Sequence, residues 1–161
     1  MTSRGGSASA LAVTITGSRS TSHRDRADYH EMFHTYLEPF AAPVTRFYLG
    51  GASGIDTLAL DWLAEHTKVS ITVAVPCTVA DQPPDARDSI TTAQENGRLA
   101  ELVELEQSGL GARAYHARNR WMVDRSALVI GFPRGDDPLS GTWFTLNYAA
   151  DQGRARLIVP V

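Results

Sequence analysis

Cysteine occurs once, at Cys77, so no internal disulfide framework and no cysteine-rich zinc site can form. Lysine also occurs once, at Lys68, which leaves arginine as the other basic residue. No apolar run is long enough to span a bilayer, and no secretory hydrophobic region is present. An excess of positive charge is missing as well. The net charge of −3 gives no global basic footprint, which argues against nucleic acid as a partner and leaves it a secondary possibility. These absences point to a cytoplasmic protein with no membrane association.

What remains is ordinary globular composition, 43% apolar and 20% charged over 161 residues, enough for one domain with a core of its own. Met1 to Ala10 is rich in Ser and Gly and reads as a flexible tail, so the domain is expected over residues 11–161. The chain is organised around Tyr48-Leu-Gly-Gly-Ala-Ser-Gly-Ile-Asp56, where an apolar run stops at two glycines and a helical pattern begins. Glycine there permits a sharp turn and leaves N–H groups open to a ligand, while the helix adds its positive dipole end. Ser53 and Asp56 have the spacing of a capping box.

Two further glycine turns punctuate the chain. Leu11 to Thr16 reads as a buried strand ending at Gly17-Ser18-Arg19, and Ser140-Gly141-Thr142 opens the last helix. Between these points lie an amphipathic helix from Tyr29 to Phe40, a strand from Val44 to Leu49 and a strand from Val69 to Val75. An aperiodic, proline-bearing stretch from Cys77 to Ser89 follows. Next come a helix from Ile90 to Ser108, a short helix from His116 to Asp124, and strands at Ala127–Phe132 and Arg156–Pro160. Strands of continuous apolar residues alternating with helices predict an α/β fold with a mainly parallel sheet of about five strands, covered on both faces.

Four stretches resemble the SLOG superfamily of Rossmann-like domains, which includes the DNA-processing protein DprA, the LOG-type phosphoribohydrolases and the YspA-like proteins. They are Thr16-Gly-Ser-Arg19, Gly50-Gly-Ala-Ser-Gly-Ile-Asp56, Arg118-Asn119, and Ser140-Gly-Thr142 with Ala149-Ala-Asp-Gln-Gly-Arg154. The resemblance implies a single three-layer Rossmann-like domain, often a homodimer or higher oligomer. It would hold a nucleotide or an ADP-ribose-like derivative over Gly17, Ser18, Arg19, Gly50, Gly51, Ser53, Gly54, Asp56, Arg118, Asn119, Ser140, Gly141 and Thr142. No cofactor and no metal are expected beyond that ligand.

Two alternatives accompany this reading. One is cleavage of an N-glycosidic bond in a nucleoside monophosphate, with Asp56 and Arg118 as catalytic residues. Thr145 stands where LOG enzymes carry a glutamate, which weighs against that chemistry. The other is DprA-like binding of single-stranded DNA, opposed by the net charge and by an acidic helix expected over Glu101 to Glu106.

His30-Glu-Met-Phe-His34 matches a zinc-binding pattern, but the apolar stripe of its helix leaves both histidines on the polar flank. Cys77 has no neighbour in sequence that would activate it and is expected to be structural. If the three glycine turns form one site, the first strand must lie centrally, and the crevice must open between it and the strand ending at Phe132. The Cys77–Ser89 stretch should then sit near the rim.

Overall fold

The computed structural model describes residues 10–161, so all but the last residue of the expected tail lies outside the described residues. The elements in chain order are β1 (Ala12–Gly17), α1 (Arg26–Tyr36), β2 (Arg46–Leu49), α2 (Ile55–His66), β3 (Ser70–Val75) and α3 (Pro84–Glu95). They continue with β4 (Glu101–Glu104), α4 (Ala112–Asp124), β5 (Leu128–Phe132), α5 (Gly141–Asp151) and β6 (Ala155–Ile158). The six strands form one parallel sheet in the order β4-β3-β2-β1-β5-β6. This is a Rossmann-like three-layer α/β arrangement with six strands rather than about five.

Alternate residues of each strand feed opposite layers, as the two-residue repeat of a strand requires. Val13 and Ile15 of β1, Phe47 and Leu49 of β2, and Ile71, Val73 and Val75 of β3 join Phe33, Ile55, Leu63 and Ile90 of α1, α2 and α3 in the main core. Tyr48 and Ala74 point the other way and meet Met122 of α4. Val129 meets Leu146 and Ala149 of α5. Gly131 is a glycine because a Cβ there would fall 2.7 Å from the Leu146 side chain. Thr14, fully buried on the α4 side, is satisfied by Ser126 Oγ at 2.6 Å, and that hydroxyl donates to the Met122 carbonyl. No described helix is long and apolar enough to cross a membrane.

The extra strand lies inside the expected Ile90–Ser108 helix. That helix begins earlier, at Pro84, and stops at Asn96-Gly97, where Gly97 takes a φ of +67°. Glu101-Leu-Val-Glu104 then pairs with β3 as an edge strand. Leu102 and Val103 suit helix and strand equally, and a four-residue segment is too short for periodicity to decide. The charged ends fit an edge position, where charge discourages further strand pairing. The first helix is also shorter than expected. It ends at Tyr36, and a 3₁₀ turn over Glu38–Phe40, with Pro39 inside it, completes the apolar stripe.

Candidate ligand-binding crevice

β1 is central, with β2 on one side and β5 on the other. The chain winds outward from β1 through β2, β3 and β4, then returns to lay β5 against the opposite side of β1. The loops leaving β1 and β5 therefore diverge, and a crevice of about 470 Å³ opens at their carboxyl ends. That volume suits a small organic ligand.

Two glycines fasten the floor. Ser18 N–H continues the strand pairing by donating to the Phe132 carbonyl at 3.1 Å, and its own carbonyl accepts the Ile55 N–H at 3.0 Å. A Cβ on Gly17 would lie 2.5 Å from Ile55, and one on Gly54, whose φ is +82°, would lie 2.4 Å from the Ser18 oxygen. The start of α2 can thus press directly onto the end of β1, with Arg19 exposed above the junction.

The back wall comes from α4. Arg118 is 3% exposed, and its guanidinium donates to the Gly50 carbonyl and, through Nε, to Asn119 Oδ1 at 2.7 Å. Asp56 is also buried, and its Oδ2 accepts the Ala52 N–H at 3.2 Å. Burial pushes the Asp56 carboxyl above the usual carboxylate range, against the opposing pull of the Arg118 charge, the Ala52 N–H and Arg19. Burial lowers Arg118 from its ordinary value, and Asp56 opposes that shift. None of the ion pairs among the described residues joins the two. Tyr115, one turn before Arg118, carries the Arg19 guanidinium 4.4 Å above its ring centroid.

The front wall is the start of α5. Ser140 caps it, its Oγ accepting the Trp143 N–H at 3.2 Å. Gly141 and Thr142 then present the first turn to the crevice. A Cβ on Gly141 would meet no atom of the chain within 4 Å. No acidic residue occupies this turn. Thr145 is fully buried, its Oγ1 donating to the Gly141 carbonyl, so this turn carries no carboxylate toward the crevice. Arg134, on the loop after β5, reaches across to donate to Ser20 Oγ at 2.9 Å. The crevice thus presents the open first turn of α5, the exposed Arg19 and Arg134 guanidinium groups and the half-buried rings of Tyr115 and His116.

Of the residues singled out in the sequence, Gly17, Ser18, Arg19, Asp56, Arg118, Asn119, Ser140, Gly141 and Thr142 line this crevice together. Gly50, Gly51, Ser53 and Gly54 do not line it. The Gly50 carbonyl is taken by Arg118, and Gly51, at φ +68°, packs toward Val75. Ser53 turns away and donates to Asp85 Oδ1 of α3 at 2.7 Å. The expected Ser53–Asp56 capping box is therefore absent: the N-cap is Gly54, with no side-chain cap, and Asp56 braces Ala52 instead. The Cys77–Ser89 stretch is not at the rim either. It leaves β3, two strands from β1, and Cys77 lies in a separate depression, bonded to the Gln107 and Gly109 carbonyls.

Sequence reasoning missed Tyr115, Ala52, Ser20, Arg134 and Leu139 as lining residues. A signal for Tyr115 existed. Ala112, Tyr115, Asn119 and Met122 share one helical face, visible once α4 starts at Ala112 rather than His116. His30 and His34 belong to no metal-binding group, and none occurs among the described residues.

No protein-family model matches the chain, and no curated protein sequence matches it. Solved structures do match in fold. DNA processing protein A from Helicobacter pylori, described for its single-stranded DNA binding mode, is similar with a TM-score of 0.70 and 22% identity. That match covers 95% of this chain and 66% of the other. DNA processing protein A (DprA) from Streptococcus pneumoniae is similar with a TM-score of 0.69 and 21% identity, over 94% of this chain and 51% of that one. The present chain thus spans roughly two thirds and one half of their lengths.

Proposed function

We propose that the crevice binds a nucleotide unit through its phosphate, with the start of α5 and Arg19 as the anion site. The observation that carries this reading is the meeting of Arg19, the open Gly141 turn and the buried Asp56–Arg118 wall at the diverging ends of β1 and β5. Thermal shift and calorimetry with nucleoside monophosphates, ADP-ribose and a single-stranded deoxythymidine oligomer test it. No stabilisation by any of them at high concentration would sink it.

A nucleotide presented within single-stranded DNA is the second reading, and two observations favour it over a free nucleotide. Helix α4 carries three arginines against one aspartate, interleaved with Tyr115, His116 and Trp121, and of these Tyr115, His116 and the buried Arg118 line the crevice. Basic groups alternating with aromatic rings are what a sequence-tolerant strand binder needs. The acidic segment that counted against nucleic acid is no helix beside the site but edge strand β4, separated from β1 by β3 and β2. The fold likeness to two DNA processing proteins supports the same reading.

A further inference from the structure

Tyr115 is not the open aromatic surface of the crevice, because the Arg19 guanidinium lies 4.4 Å over its ring and Arg118 lies 5.8 Å away. His116 is placed differently. Its ring stacks on Phe144 of α5 with centroids 3.7 Å apart and planes 7° from parallel. The Phe144 and Tyr148 rings are nearly parallel, 2° apart with centroids 6.5 Å apart, and the Tyr148 hydroxyl donates to Asp124 Oδ1 at 2.6 Å. The stack ties α4 to α5 behind the site, so its outer member is held before any ligand arrives. One face of His116 stacks on Phe144, and His116 lines the crevice. Neither ring nitrogen takes part in a hydrogen bond among the described residues, while other polar groups of that wall, Arg118 and Asn119, bond to each other.

We propose that His116, backed by Phe144, is the nucleobase platform of this site, stacking on the base. The inference rests on the nucleotide reading above and deepens it by assigning the base contact to one residue. A pre-stacked ring loses little freedom when a base joins it, which is why a rigid aromatic makes a good platform. Burial, and then the Arg120 charge, lower the His116 pKa, which favours the neutral imidazole.

The test compares ligands that differ only in the base: a deoxythymidine oligomer against an abasic oligomer of equal length, and adenosine monophosphate against ribose 5-phosphate. In the wild-type chain the base-bearing member of each pair should bind about 5- to 150-fold more tightly, the range for stacking one base on an aromatic side chain. His116→Ala and His116→Gln should bring both ratios close to one. His116→Phe should preserve them, and Arg19→Ala should weaken both members of a pair alike. Equal wild-type binding of both members, or ratios that survive in His116→Ala and His116→Gln, would overturn the platform while leaving the phosphate site intact. Binding of no ligand by the wild type would overturn the nucleotide reading and the platform with it.

Discussion

Asp56 and Arg118 hold the central glycine loop from opposite flanks. The Asp56 carboxylate takes the Ala52 N–H, and the Arg118 guanidinium donates to the Gly50 carbonyl two residues earlier. Neither relies on a direct ion pair with the other, so each buried charge is only partly compensated, a costly arrangement. Buried, incompletely paired charges concentrate at functional sites.

The first prediction follows from that cost. A carboxyl raised in the folded chain binds its proton more tightly there than in the unfolded chain. Its contribution favours the fold at low pH and is lost as pH climbs from the ordinary 3.8 through the raised folded value. Above that window the desolvated charge opposes folding. Asp56→Asn keeps an oxygen for the Ala52 N–H and removes the charge. The variant should melt no lower than the wild type at pH 7, with any advantage shrinking as pH falls through the window. A variant that melts lower at pH 7 but level with the wild type below the window would show that Arg118 needs the Asp56 charge.

Arg19 supplies the second prediction. It is exposed and has no ion-pair partner among the described residues, so Arg19→Ala should leave the melting temperature nearly unchanged. An anionic ligand should weaken by about 1.5–3 kcal/mol, the scale for a hydrogen bond to a charged group, or roughly 10- to 150-fold in Kd. Calorimetry with the tightest nucleotide found would settle it. Unchanged affinity would move the anion site away from β1.

The arrangement of strands and loops was legible because the apolar runs of β1, β2, β3 and β5 are unambiguous and each of the three site turns carries a glycine. β4 was not. Leu102 and Val103 are too few to show a period, and only pairing with Val73 and Ala74 makes them a strand. Within the site, residue types foretold which turns would converge but not which way each side chain would face. Ser53 had the spacing to cap α2, yet α3 offers it Asp85, and a partner distant in sequence decided the outcome. Tyr115 was hidden by a helix start set four residues late.

The glycines should separate structural from ligand-facing roles. Gly54→Ala combines a φ of +82° with a Cβ 2.4 Å from the Ser18 oxygen, a backbone atom that has no room to retreat. It should cost at least about 2 kcal/mol, lowering the melting temperature by roughly 4–8 °C in a domain of this size. Gly141→Ala meets nothing and should melt like the wild type. If a ligand approaches the first turn of α5 closely, the same substitution should weaken it several-fold. A Gly141→Ala variant with full affinity would show that the turn stands clear of the ligand.

Salt dependence distinguishes a free nucleotide from a strand. A single mononucleotide touches the start of α5 and Arg19, whereas a strand crossing the crevice would also pass Arg134 on the far lip and Arg120 along α4. Each phosphate neutralised on single-stranded nucleic acid contributes about −0.7 to the slope of log K against log salt. A strand held by Arg19, Arg120 and Arg134 should therefore show a slope near −2. Arg134→Ala should reduce its magnitude by roughly 0.7. Arg134 is exposed, and among the described residues its guanidinium bonds to Ser20 Oγ alone, so the substitution should not disturb the fold. Fluorescence anisotropy with a labelled deoxythymidine oligomer at several salt concentrations measures both slopes. A slope unchanged by Arg134→Ala would confine the anion to the Arg19 side of the crevice, where one phosphate suffices and the ligand is a free nucleotide rather than a strand.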